Sequence, residues 1–175
     1  MTWEAFHRRG EVLRRVIEVA NERCDGRLPN DVAGVDAVFT DDVDLLGALQ
    51  LRWHTALAGQ IEASLADQPI DLPGAVVAAW RVTAADLPGV RAILDAHGEQ
   101  PTSPEVAHVM ETASAKERQM LALMAGLASR LDLDEQAARR GERLEREARA
   151  GVRLAAIDVP QPRGFLERLK AALAA

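Results

Sequence analysis

The chain has 175 residues, the length of one domain. A chain this long buries roughly 70% of the surface its unfolded form exposes, so it needs no metal or disulfide to fold. Hydrophobic residues make up 48% of it, but 32 of them are alanine, and there are three Trp, three Phe and no Tyr. Strands want β-branched and aromatic residues, so this composition disfavours a sheet and points to closely packed helices. The net charge of −6 argues against a nucleic-acid binder acting through its whole surface.

Residues 2–24 read as a first helix. Trp3, Phe6, Leu13, Ile17, Ala20 and Cys24 fall on one stripe, with Glu11, Arg15, Glu18 and Glu22 opposite. Gly26, Pro29, Asn30 and Gly34 mark 25–39 as a long connection with room for one helical turn. Thr40 reads as the N-cap of a second helix reaching residue 66, with Asp41, Asp42 and Asp44 at its positive end. The apolar arc of that helix is wide. It runs from Leu46 and Leu49 through Trp53 and Leu57 to Ile61, and takes in Gln50, His54 and Gln60. A helix so apolar belongs at the centre of a bundle.

Residues 71–97 read as a third helix, interrupted at Pro88. Asp-Leu-Pro-Gly occurs at 71–74 and again at 86–89. Each copy looks like a helix start, with Asp as cap and Pro in the first turn. The second copy therefore means a kink or a break. Ser103, Pro104 and Glu105 open a fourth helix reaching about residue 129, with Val106, Val109, Met110, Leu121 and Met124 on its stripe. Short links make neighbouring helices antiparallel, so the expected fold is an all-α, up-and-down four-helix bundle.

The remainder differs in kind. Residues 134–150 are Arg/Glu-dense, with Ala137, Gly141, Leu144 and Ala148 as a thin stripe and Glu142–Arg146 and Glu145–Arg149 at i,i+4 spacing. Residues 151–164 hold Gly151, Pro160, Pro162 and Gly164 and read as a linker. Phe165, Leu166, Leu169, Ala172 and Leu173 then mark a short amphipathic helix. The expected division is a bundle core over 1–131 and an extension of the same domain over 132–175. Charge divides too. Residues 139–175 hold nine basic and five acidic residues, against twelve and twenty-two in 1–138. The chain is thus a −10 body with a +4 tail, which favours a solvated charged helix, or one lying on its own body, over a nucleic-acid-binding tail.

Cys24 is the single cysteine, which excludes an internal disulfide and fits a reducing cytoplasm. Residues 1–15 are charged throughout, unlike a signal peptide, and no stretch approaches a membrane span. Nineteen of the 21 basic residues are Arg, the habit of a GC-rich bacterial genome.

Candidate sites are few. A carboxylate–histidine metal centre in a bundle needs Glu-x-x-His pairs on two helices, and only Glu105–His108 is present. His54 lies in the apolar arc of the second helix, and Glu117 interrupts the stripe of the fourth. Folding the chain about its short links brings Thr83 and Glu117 near the height of His54. The competing reading is a hydrogen-bonded core pair. Gln50, Trp53, His54 and Glu117 are therefore the candidate ligand-binding set, with an apolar wall and a few polar groups. Phe165, Leu166, Leu169 and Leu173 are the candidate partner-binding set, because a helix so short is not stable undocked. It rests on its own bundle, on a second copy or on another protein. No catalytic residue, metal or cofactor is assigned. Cys24 sits at the closing end of the first helix and not at a helix start that activates a thiol, and no glycine-rich phosphate loop, nucleophile elbow or Cys-x-x-Cys occurs.

Segments 45–62 (LLGALQLRWHTALAGQIE) and 86–97 (DLPGVRAILDAH), the opening 2–7 and the closing 164–175 resemble a group of small all-helical actinobacterial proteins. That resemblance implies an all-helical fold and carries no activity or residue role. Length and helix count are also similar to ferritin-like di-iron proteins, but the ligand pattern departs from theirs. The functional expectation is a non-catalytic helical interaction or structural protein, a homodimer. The alternative is a ligand- or metal-binding bundle with a site around His54 and Glu117.

Overall fold

A computed structural model describes residues 3–66, 69–129, 131 and 134–157, with side chains described at 6–66, 69–129, 131 and 134–150. Their regular structure is helical throughout: α1 (Trp3–Arg23), α2 (Val35–Val38), α3 (Asp42–Ala66), α4 (Leu72–Asp86), α5 (Pro88–Glu99), α6 (Pro104–Met124) and α7 (Asp134–Ile157).

α3 runs through the centre. Leu45, Leu46, Leu49, Trp53, Leu57 and Ile61 are all buried, as the wide apolar arc requires. Its cap differs from expectation. Asp41 Oδ1 accepts the Asp44 N–H at 2.8 Å, and the Thr40 N–H donates to the Asp44 carboxylate at 3.1 Å. Asp41 fills the capping role assigned to Thr40, because a carboxylate accepts an orphan N–H more strongly than a hydroxyl.

α1 buries Val12, Val16 and Ala20, while Phe6 and Cys24 lie exposed. The buried stripe is therefore rotated from the expected one. Two fastenings set that rotation. Arg9 reaches the Val38 carbonyl at 2.6 Å and forms a bidentate pair with Asp44. Near its end, α1 meets α5 backbone to backbone, and a Cβ on Gly89 would collide with the Ala20 carbonyl.

The third expected helix is broken, not kinked. Leu87 leaves helical geometry (φ −127°, ψ 52°) between α4 and α5. Asp71 caps α4 as expected, accepting the Gly74 N–H at 2.9 Å. Asp86 does not cap α5, because it is the last residue of α4. The Gly89 N–H instead donates to the Asn21 side chain of α1 at 3.0 Å, so a tertiary contact replaces the local cap.

Ser103 caps α6 through the Val106 N–H at 3.2 Å. The helix ends at Met124, short of the expected 129. Gly126 takes a left-handed φ of 68°, and the Leu127 N–H returns to the Ala122 carbonyl at 2.9 Å. That is a Schellman stop, which a glycine makes cheap. α7 overruns its expected end. Residues 151–157 are helical and not linker, because the lone Gly151 costs only about 1 kcal/mol and the first Pro comes at 160.

α7 packs on α6 and α4, and its Leu144 and Ala148 join the hydrophobic core. Gly141 sits against the Arg118 carbonyl, where any Cβ would collide. The small-residue stripe is what lets a very polar helix lie this close. No described helix is long and apolar enough to cross a membrane.

Candidate functional site

Two polar features lie on different sides of α3, and the four expected site residues divide between them.

The first is internal. Glu117 of α6 is 4% exposed. Its Oε2 accepts the indole N–H of Trp53 at 3.0 Å, and its Oε1 accepts that of Trp80 at 3.0 Å. The two indoles pack edge to face at 5.6 Å between centroids. The Arg91 guanidinium lies 4.8 Å over the Trp53 ring, with Nη1 3.5 Å from Glu117 Oε2. From there a ladder of charges runs outward. Arg91 pairs with Asp95 at 2.8 Å, and Asp95 takes two 2.8 Å hydrogen bonds from Arg149. Arg149 also bonds Glu145 at 2.8 Å, and Arg118 Nε reaches Glu145 at 2.8 Å. Arg149 sits 5.2 Å over the Trp80 ring. Three guanidinium groups therefore face three carboxylates, and α3, α4, α5, α6 and α7 each contribute a member.

Burial works to raise the Asp95 and Glu145 carboxyls, but their arginine partners outweigh it and hold both below the ordinary range. Burial works to lower Arg149, and hydrogen bonds and charge from Asp95 and Glu145 outweigh it, so its pKa is raised. A cavity of about 290 Å³ opens beside the ladder, lined by Arg91, Asp95, Glu117, Arg118, Glu145 and Arg149 among others. Each of those charges already faces an opposite charge, which suits this cluster to fastening helices together.

The second feature is an open groove. Gln50 and His54 line a chamber of about 430 Å³ between α3 and α6, with His108 and Lys116. A larger chamber of about 620 Å³ lies between α1 and α3, lined by Phe6, Gly10, Leu13 and Ala48 among others. Gly47, Leu51 and Val109 line both, so the chambers form one trough. Phe6 and Leu51 on its walls are each 67% exposed. A Cβ added at Gly10 or Gly47 would meet nothing within 4 Å, so both leave open hollows.

The expected set is thus half joined. Trp53 and Glu117 are hydrogen-bonded to each other in the core, while Gln50 and His54 face the groove. No hydrogen bond or ion pair joins His54 to Glu117, whose two oxygens are held by indoles. Thr83 is buried but bonds its own helix, at the Ala79 carbonyl, at 2.9 Å. Of the Glu105–His108 pair, His108 lines the groove and Glu105 does not. Among the described residues, no group of three or more His, Cys, Asp or Glu is placed to hold a metal. Phe165, Leu166, Leu169 and Leu173 lie outside the described residues.

Sequence reasoning missed Trp80, Arg91, Asp95 and Arg149 as partners of Glu117 and of each other. Arg91 and Asp95 stand at i,i+4 spacing, and Glu145–Arg149 was legible as a helix pair. The −10 body and +4 tail left α7 either solvated or resting on the body, and it packs on α6 and α4. Which acid each Arg would meet across helices had no local signal. Comparison with protein families, curated proteins and solved structures finds no match to this chain.

Proposed function

We propose that this chain is a non-catalytic helical interaction protein that associates with itself. The observation that carries it is the apolar trough along α3, with Phe6 and Leu51 exposed on its walls. Large apolar side chains grouped around a concave surface mark an interaction site. The internal charges support the same reading, since they hold helices to one another. Phe165, Leu166, Leu169 and Leu173 are a second proposed contact, on their amphipathic spacing. We read α1, α3, α4 with α5, and α6 as an up-and-down core. The hydrogen bond from Trp53 of α3 to Glu117 of α6 across the core supports it. The lone cysteine and Arg-rich composition support a bacterial cytoplasmic location.

Light scattering on the full chain and on a version ending at Asp158 tests the proposal. A dimer in the full chain supports it, and the shorter version shows whether the last residues contribute. A monomer in both overturns it.

A second reading rests on the smaller chamber. Its volume of about 430 Å³ falls in the range of small-molecule sites, and Gln50, His54, His108 and Lys116 supply polar groups on an apolar wall. A ligand screen by thermal shift on wild type and His54→Ala tests it. A compound that stabilises wild type and not the variant supports a site there, and equal shifts in both argue against it.

A further inference from the structure

We infer that α7 is a strap that parts from the body as one unit while α1 to α6 stay folded, uncovering the Trp80 ring beneath Arg149.

Its apolar hold is small. Over 134–150, α7 buries Ala137, Leu144 and Ala148, of which only Leu144 is large. Among the described residues, the largest fully buried side chains, such as Trp53, Leu57, Ile61, Ile93 and Leu121, all lie on the other helices. Elements with few buried apolar contacts open first, at a free energy below that of the whole fold.

The body is fastened without α7. Arg9 holds Asp44, the Asn21 side chain holds the Gly89 N–H, and Glu117 holds Trp53, Trp80 and Arg91. The charged contacts that cross to α7 are Arg118 with Glu145, Arg149 with Asp95, and Arg81 with the Glu147 and Ala148 carbonyls.

Parting along that seam strands no buried charge. Asp95 keeps Arg91 of its own helix at 2.8 Å, and Glu145 and Arg149 keep each other on theirs at 2.8 Å. Arg118, already 36% exposed, exchanges Glu145 for water. The penalty for an uncompensated buried charge, which makes most broken buried pairs costly, is therefore avoided. Glu117 is the opposite case, since pulling it away orphans two buried indole donors. The body resists opening where the seam of α7 does not.

Native-state hydrogen exchange of the full chain, read by NMR in low denaturant at pH 7, tests the inference. The amides of 138–150 should converge on one opening free energy, below that of 45–61 in α3. Raising NaCl from about 0.05 to about 1 M should speed exchange in α7 by roughly tenfold relative to α3, because partly exposed pairs are screened. Arg149→Met should do the same by roughly tenfold. Leu144→Ala should speed α7 by roughly a hundredfold with α3 still protected. One common opening free energy for α7 and α3 overturns the inference. So does graded exchange running inward from residue 150, and so does a Leu144→Ala chain in which α3 loses protection along with α7.

Discussion

At the level of single residues, Glu117 has the largest expected consequence. It is a buried acid between two indole donors and within reach of Arg91. Removing it leaves two buried N–H groups without an acceptor and takes from Arg91 one of its two counter-charges, the other being Asp95. Glu117→Ala should therefore cost about 3–5 kcal/mol in denaturant unfolding, the range for breaking a buried pair. Trp53→Phe removes one indole donor and keeps an aromatic ring, so its cost should be about 1–3 kcal/mol. A Glu117→Ala protein with wild-type stability would show that the cluster is incidental. Glu117 was legible as an anomaly, since a charge interrupted an apolar stripe. Its partner was misread as His54, one position along α3 from the true donor. One residue is about 100° around a helix, enough to turn a side chain from the core to the groove.

At the level of elements, α7 is a polar helix fastened by a thin stripe and a charge ladder. Gly141→Ala should push α7 off the Arg118 carbonyl, loosen the Arg118–Glu145 pair and cost about 1–3 kcal/mol as an overpacking change. A thermal melt of that variant checks it, and an unchanged melt would mean the helices separate freely. The ladder also makes the seating of α7 depend on pH. Asp95 and Glu145 have native pKa values below their unfolded values of roughly 4. The stability they lend is full above that pH and is lost as pH falls through the native values. Arg149 stays charged over the whole range. Tryptophan emission, reporting on Trp80 beneath Arg149, should hold constant from pH 7 to about 5 and change below about 4. Arg149→Met should abolish most of that step, and an identical titration in the variant would contradict the ladder's role.

Element boundaries show where local signals suffice. Asp71 and Ser103 cap the helices they precede, because a cap acts within three residues. The second Asp-Leu-Pro-Gly failed as a cap because Asn21, 68 residues from Gly89, supplies the acceptor instead. Gly126 ended α6 through a left-handed turn, ahead of the expected end at about residue 129. The small-residue stripe of α7 was legible, but not that Gly141 would touch the backbone of α6.

At the level of the whole molecule, composition and periodicity were enough for an all-helical fold with α3 at its centre. The trough was not legible, because it depends on the rotation of α1. Phe6 was read as core from its spacing, and the fastenings at Arg9 and Gly89 turn Val12 and Val16 inward in its place. That rotation leaves Phe6 on the wall of an apolar surface shared by three helices. Self-association through it is the central claim. The most direct measurement is the molar mass of full-length wild type and Leu51→Arg by light scattering at one protein concentration. The account predicts a dimer for wild type and a helical monomer for the variant. A monomer for wild type, or the same dimer for both, would contradict it.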